Sequence, residues 1–135
     1  MTVYADASAI LKLYLDEPDS DTARGTLRAD PRWISACITV VEVRRNLARL
    51  LDGVELTQAY TEFRRDWSEV ASLAIDDVTS ERAAALAEAT GVRTLDALHL
   101  EAAERAAADE RVPIVTFDLR LAEAARSLGW TVLGV

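Results

Sequence analysis

The sequence predicts an α/β fold, a largely parallel sheet flanked by helices. Two observations carry this. Short apolar runs with strand-favouring side chains alternate with stretches of helical periodicity along the chain, and the two clearest runs each end on an aspartate that leads straight into a helix start.

The first run, residues 2–6, carries Val3, Tyr4 and Ala5 and ends on Asp6. It is too short for a helix, and Ser8 suits an N-cap for the amphipathic residues 9–15 behind it. Pro18 ends that helix. Residues 19–30 read as a second helix, capped by Asp19 or Ser20 and closed by a turn over 29–32; residues 33–36 are a short strand. Residues 38–51 space their apolar side chains by three and four, with Thr39 as cap and Asp52 and Gly53 as terminators. A helical stretch over 56–73 puts Tyr60, Phe63 and Trp67 on one face, as packing requires. Residues 73–78 read as a third strand despite Asp76 and Asp77. Residues 79–90 are helical up to Gly91, and Thr94 caps a further helix over 95–109. Residues 112–117 form a strand ending on Asp118, residues 119–128 a helix stopped by Gly129, and residues 130–135 a closing strand. No repeat or linker interrupts this order, so residues 1–135 read as one domain, large enough for a core without disulfides.

Composition narrows the function. No apolar stretch approaches the ~20 residues of a membrane span, and the N-terminus enters a strand without a basic leader, so the expectation is a cytoplasmic protein with no membrane partner. The lone Cys37 and lone His99 exclude an internal disulfide and a Cys/His zinc site, so any metal must be held by oxygen. A net charge of -8 argues against holding nucleic acid by bulk electrostatics and leaves only a local basic rim. Lys12 is the one lysine among 15 basic residues, so phosphate contacts would fall to the planar fork of arginine.

With 23 acidic residues in the chain, position has to select the functional ones: the C-terminal edge of the sheet, where ligands of such folds bind, or the apolar face of a helix. Asp6 and Asp118 end strands, and each also reads as a plain helix N-cap. Asp96 shares a helix face with Leu100, Ala103 and Ala107, opposite Glu101, Glu104 and Arg105, where a carboxylate must be compensated. Glu42 lies in the first turn after the second strand, near Arg45, Asn46 and Arg49, and reads equally well as a surface ion-pair former. The four acids belong to four strand–helix junctions. If they converge, each close pair repels by about 4 kcal/mol at ~4 Å and an effective dielectric of ~20. A divalent cation is the natural occupant, and an all-oxygen site suits Mg²⁺ or Mn²⁺. Ser8 and Thr116 place hydroxyls beside these acids, and Arg93 stands where a helix N-terminus could meet a phosphate. His99 falls on the face of Leu95, Ala102 and Ala106 and reads as a core histidine outside the site.

The stretches VYADASAILKLYL, ITVVEVRRNLAR, RTLDALHLEAA and VTFDLRLAEAARSLGW resemble, in order and spacing, the PIN-domain ribonucleases, specifically the VapC toxins of bacterial toxin–antitoxin pairs. The resemblance spans nearly the whole chain. It implies a PIN-like parallel sheet of strand order 3-2-1-4-5 and a Mg²⁺ site lined by Asp6, Glu42, Asp96 and Asp118, with Ser8 and Thr116 as matching hydroxyls. It further implies a metal-dependent endoribonuclease acting on transfer, ribosomal or messenger RNA, a VapB-like antitoxin lying across the groove, and a homodimer within a toxin–antitoxin hetero-oligomer. On this reading Asp6 and Asp96 bind the cation most directly, Asp118 and Glu42 complete its shell, and phosphodiester hydrolysis needs no histidine base. Arg44, Arg45, Arg93 and Arg120 are the candidates for an RNA-holding rim. Two other readings compete. A phospho-acceptor receiver domain would need an acidic pair after the first strand and a lysine after the last main one; a catalytically silent scaffold would keep the fold for binding alone.

Overall fold

The computed structural model describes residues 2–30, 32–107 and 109–135. Its strands are β1 (Tyr4–Ala5), β2 (Ile34–Ala36), β3 (Ala71–Leu73), β4 (Ile114–Thr116) and β5 (Val132–Gly134). Its helices are α1 (Ala7–Leu11), α2 (Ser20–Leu27), α3 (Ile38–Leu50), α4 (Gly53–Trp67), α5 (Asp77–Thr90), α6 (Thr94–Ala106) and α7 (Leu119–Ser127). The strands form one parallel sheet of order β3-β2-β1-β4-β5, in register through Tyr4 opposite both Ile34 and Ile114. This is the order the family resemblance implies. It differs from the 2-1-3-4-5 order of receiver-type sheets, so that alternative is set aside.

Side chains alternate across the central strands and build two cores. Val3, Ala5 and Val115 face α1 to α4, packing with Ile10, Leu27, Trp33, Val43, Leu47 and Phe63. Tyr4, Ala36 and Ile114 face the other way, onto Leu100 and Ala103 of α6, Leu121 and Ala125 of α7, and Trp130. A strand buried on both faces is what a parallel sheet with helical crossovers requires. Phe63 packs edge-on against Tyr14 and tilted against Trp67, so the aromatic face of α4 is packing, as expected.

Several element bounds differ from expectation. Asp6, not Ser8, caps α1, accepting from the Ala9 amide; Ser8 is a helical residue. Cys37 precedes α3, while Thr39 is buried inside that helix and shares a hydrogen bond with Ser35. Helix α4 begins at Gly53 and ends at Trp67, and the third strand is Ala71–Leu73, not 73–78. Ala71 and Ser72 are exposed on this edge strand, so it lacks the apolar run that marks β1 and β4. Asp76 instead caps α5 through the Thr79 amide. Arg93 is the N-cap of α6, with Thr94 its first helical residue. The expected turn over 29–32 and the expected helix end near 109 include positions outside the described residues. No helix among the described residues is long and apolar enough to cross a membrane.

Asp66 of α4 ties the first layer together. Its carboxylate accepts from the Tyr14 hydroxyl at 2.7 Å and from both terminal nitrogens of Arg28 at 2.9 Å. Burial pushes its pKa up, but the Arg28 and Tyr14 hydrogen bonds and the guanidinium charge outweigh it and hold the group below the usual carboxylate value. A depressed folded-state pKa gives stability that is present above the unfolded value of ~3.9 and is lost as pH falls through the folded one. Asp66→Asn is therefore expected to cost about 1–2 kcal/mol at neutral pH, discounted for the half-exposed Arg28, in urea unfolding. The gap between variant and wild type should narrow as pH falls below ~3.9.

Gly134 sits opposite Thr116 in the β4–β5 ladder with φ of +110°, and a Cβ there would lie 2.1 Å from the Thr116 carbonyl oxygen. Gly134→Ala should lose about 1–3 kcal/mol or more in the same unfolding measurement, because the clash is with backbone.

Candidate active site

The C-terminal edge of the sheet opens into a cleft of about 290 Å³ whose lining includes Asp6, Glu42, Arg93, Asp96, His99 and Asp118. All four sequence-predicted acids reach it, by different routes. Asp6 arrives at the end of β1, Asp118 two residues after β4, and Glu42 from the second turn of α3. Asp96 does not come from a strand–helix junction: α5 ends at Gly91, whose φ of +75° lets the chain turn into α6, and Asp96 lies in the first turn of that helix.

Asp6 is only 4% exposed. Ser8 Oγ donates to its carboxylate at 2.7 Å, Thr116 Oγ1 donates to Oδ2 at 2.8 Å, and the Ala9 amide donates to Oδ1 at 3.0 Å. Ser8 Oγ in turn accepts from the Phe117 amide at 2.8 Å, so the two hydroxyls clamp the end of β1 to the end of β4. Even so, burial dominates, and the Asp6 pKa stands above the usual carboxylate value despite these donors and the nearby His99. Burial therefore disfavours the charged carboxylate more than its donors favour it. Asp6 and Asp118 are both caps and site residues; Asp118 accepts from the Arg120 and Leu121 amides at the start of α7.

Asp96, also 4% exposed, is compensated by Arg93. As N-cap, Arg93 stands three residues before Asp96, and Nε and Nη2 donate to its two oxygens at 2.7 and 3.1 Å. Nη2 also donates to Asp118 Oδ2 at 2.9 Å, so one guanidinium bridges both acids. Burial raises the Asp118 pKa, but the Arg93 hydrogen bond and the helix amides bring it below its usual value. Arg93 is thus engaged with carboxylates rather than open to a phosphate. Arg44 lies over the Tyr60 ring in a separate groove with Val40, Phe63 and Trp67, while Arg45 and Arg120 are exposed and line no part of the cleft.

His99 is the buried histidine the sequence implies, but it also lines the cleft, where the sequence does not place it. Leu95 is exposed, whereas His99 is 3% exposed beside Asp96 and Leu100 on the inward face of α6. Its Nδ1 is 2.7 Å from the Tyr4 hydroxyl and its Nε2 is 2.7 Å from Glu42 Oε1. Glu42 therefore points inward to a histidine instead of outward to Arg45 and Arg49. Burial lowers the His99 pKa, but the Glu42 hydrogen bond and the charges of Glu42, Asp6 and Asp96 raise it above the ordinary imidazole value overall. The spacing of Asp96 and His99, three apart on one helix, was the available signal.

The four carboxylates in the cleft supply oxygen ligands, the set that suits Mg²⁺ or Mn²⁺, while the His99 imidazole is already engaged with Tyr4 and Glu42. Among the described residues no three acidic, His or Cys groups are gathered closely enough to hold an ion as they stand, and the Arg93 guanidinium supplies the positive charge between Asp96 and Asp118. The residues fit a cation provided that Arg93 gives up this position. Thr116→Val keeps the volume and removes one donor to Asp6. It should cost about 1–3 kcal/mol in urea unfolding at neutral pH, and less in an Asp6→Asn background.

The PIN domain family profile matches residues 3–127. Ribonuclease VapC46 of Mycobacterium tuberculosis is 36% identical over 131 residues, covering 97% of this chain and 95% of that protein. Among solved structures, the fold is similar to that of Mycobacterium tuberculosis VapC20, described as a sarcin-ricin loop cleaving toxin, with a TM-score of 0.73 and 17% identity over 98% of each chain. It is also similar to a chain of a toxin-antitoxin complex from Klebsiella pneumoniae, with a TM-score of 0.66 and 19% identity over 87% of each chain. The acidic cleft at the end of a 3-2-1-4-5 sheet and the profile match spanning residues 3–127 together place this chain in the PIN-domain family.

Proposed function

We propose that this chain is a VapC-type toxin, a metal-dependent endoribonuclease held inactive by a VapB-like antitoxin. The observation that carries the reading is the cleft in which Asp6, Glu42, Asp96 and Asp118 meet at the C-terminal edge of the sheet. The names of the relatives, ribonucleases of the VapC group, support RNA as the substrate, and the toxin-antitoxin complex among the structural neighbours supports an antitoxin partner. Transfer, ribosomal and messenger RNA all remain within this substrate class, and a homodimer assembled with antitoxin is the expected form.

Asp6 and Asp96, the two most buried acids, are the residues to hold Mg²⁺ or Mn²⁺ most directly, with Asp118 and Glu42 closing the shell. Bound there, the cation supplies charge neutralisation at the scissile phosphate and an acidified water. The chain's own part is positional. Ser8 and Thr116 fix the Asp6 carboxylate, and Arg93, which lines the cleft, would be free to meet a phosphodiester oxygen once a cation displaces it from Asp96 and Asp118. An acidic surface of net charge -8 repels RNA at long range, so binding relies on this local arginine and on shape, and it favours a basic inhibitor segment.

Purified, antitoxin-free protein should cut cellular RNA into discrete fragments with Mg²⁺ or Mn²⁺ and not with EDTA. Asp6→Asn and Asp96→Asn should each lower the rate by about 100- to 1000-fold, the scale of losing one transition-state stabiliser. Cleavage that persists in EDTA or in Asp6→Asn contradicts the reading; a folded protein that binds Mn²⁺ but cuts nothing points to the silent scaffold.

A further inference from the structure

The phospho-ester chemistry proposed above needs four acids, yet three of them have a neighbour that holds them in place and the fourth, Glu42, has none on its own helix. Asn46 bonds back to the Glu42 carbonyl, and Arg49 bonds to Asn46, so the polar groups one and two turns along α3 are engaged with each other. Glu42 is instead reached from α6, by a histidine 57 residues away in sequence.

We propose that His99 is a positioning residue that, with Tyr4 behind it, fixes the Glu42 carboxylate for cation binding. The geometry is a relay from the centre of the sheet to the cleft: Tyr4 hydroxyl to His99 Nδ1, then His99 Nε2 to Glu42 Oε1, each at 2.7 Å. A carboxylate only accepts, so Nε2 carries the proton and donates to Glu42; the phenol donates to Nδ1 of the neutral ring and accepts from it in the imidazolium, so the Tyr4 contact holds in either state. Tyr4 is fully buried in the central strand and meets the imidazole edge-on with ring centroids 5.9 Å apart, so packing and the hydrogen bond both hold the ring. Using Oε1 for His99 leaves Oε2 for the cleft. A packed, hydrogen-bonded partner of this kind orients a ligand and tunes its basicity, and losing it typically weakens metal binding by about 10- to 100-fold. The inference rests on the metal-site reading.

The test is Mn²⁺ binding by calorimetry on the antitoxin-free chain without RNA, with circular dichroism to confirm folding. His99→Phe keeps an aromatic ring and removes both hydrogen bonds, and it should weaken Mn²⁺ by about 10-fold, as should Glu42→Gln. The double variant should be no weaker than Glu42→Gln alone, because both changes remove the same contribution. His99→Gln, which can still donate to Glu42, should recover part of the loss, an outcome that a role in packing alone does not produce. Tyr4→Phe should give a smaller loss in the same direction, and it carries the test if His99→Phe does not fold: unchanged Mn²⁺ affinity there overturns the relay. Binding that is lost in Asp6→Asn yet unchanged in a folded His99→Phe overturns this proposal alone. Binding that survives Asp6→Asn overturns the metal-site reading and this proposal with it.

Discussion

Everything at the sheet edge depends on one buried carboxylate. Asp6 ends the central strand, and the chain can place a charge there only because two hydroxyls and an amide converge on it from α1 and β4. Those donors are themselves the product of the parallel register: Ala5 lies opposite Val115, which brings Thr116 beside Asp6. They do not fully offset desolvation, since burial still keeps the Asp6 pKa above its usual value. A cation bound beside this carboxylate, as proposed, would favour its charged form and so stabilise the fold.

The remaining charges are arranged around that constraint. Arg93 spans Asp96 and Asp118, and His99 meets Glu42, so each of the other acids is bonded to a side chain from α6 or its cap. One helix therefore governs most of the electrostatics of the cleft. The chain as a whole is strongly acidic, yet locally each of the three acids beyond Asp6 has a hydrogen-bonding partner, with Arg93 shared between two of them. On the proposed metal-site reading, an entering ion would compete with the half-exposed Arg93, whose side chain is 44% accessible, and not with the buried His99.

Much of this was legible in the residue order, for identifiable reasons. Asp6 and Asp118 stand out because a strand end and a helix cap coincide there, and the two roles turned out to be compatible, not rival. Asp96 stands out because a carboxylate on an apolar helical face is costly. Glu42 and His99 are harder. Their partnership crosses 57 residues and depends on how α3 and α6 pack about β1 and β2, which no local pattern encodes. The third strand escapes the sequence pattern because an exposed edge strand carries no alternation, and the cap of α1 is ambiguous because Ser8 and Asp6 are both good caps and only the site geometry chooses between them.

The most direct measurement is anomalous diffraction above the manganese edge from crystals of the antitoxin-free chain grown with Mn²⁺. The expected result is a peak between the carboxylates of Asp6 and Asp96, with Arg93 withdrawn from Asp96 and Asp118. An absence of anomalous density in the cleft, with Arg93 still bridging those two acids at saturating Mn²⁺, would contradict the assignment of this edge as a metal site.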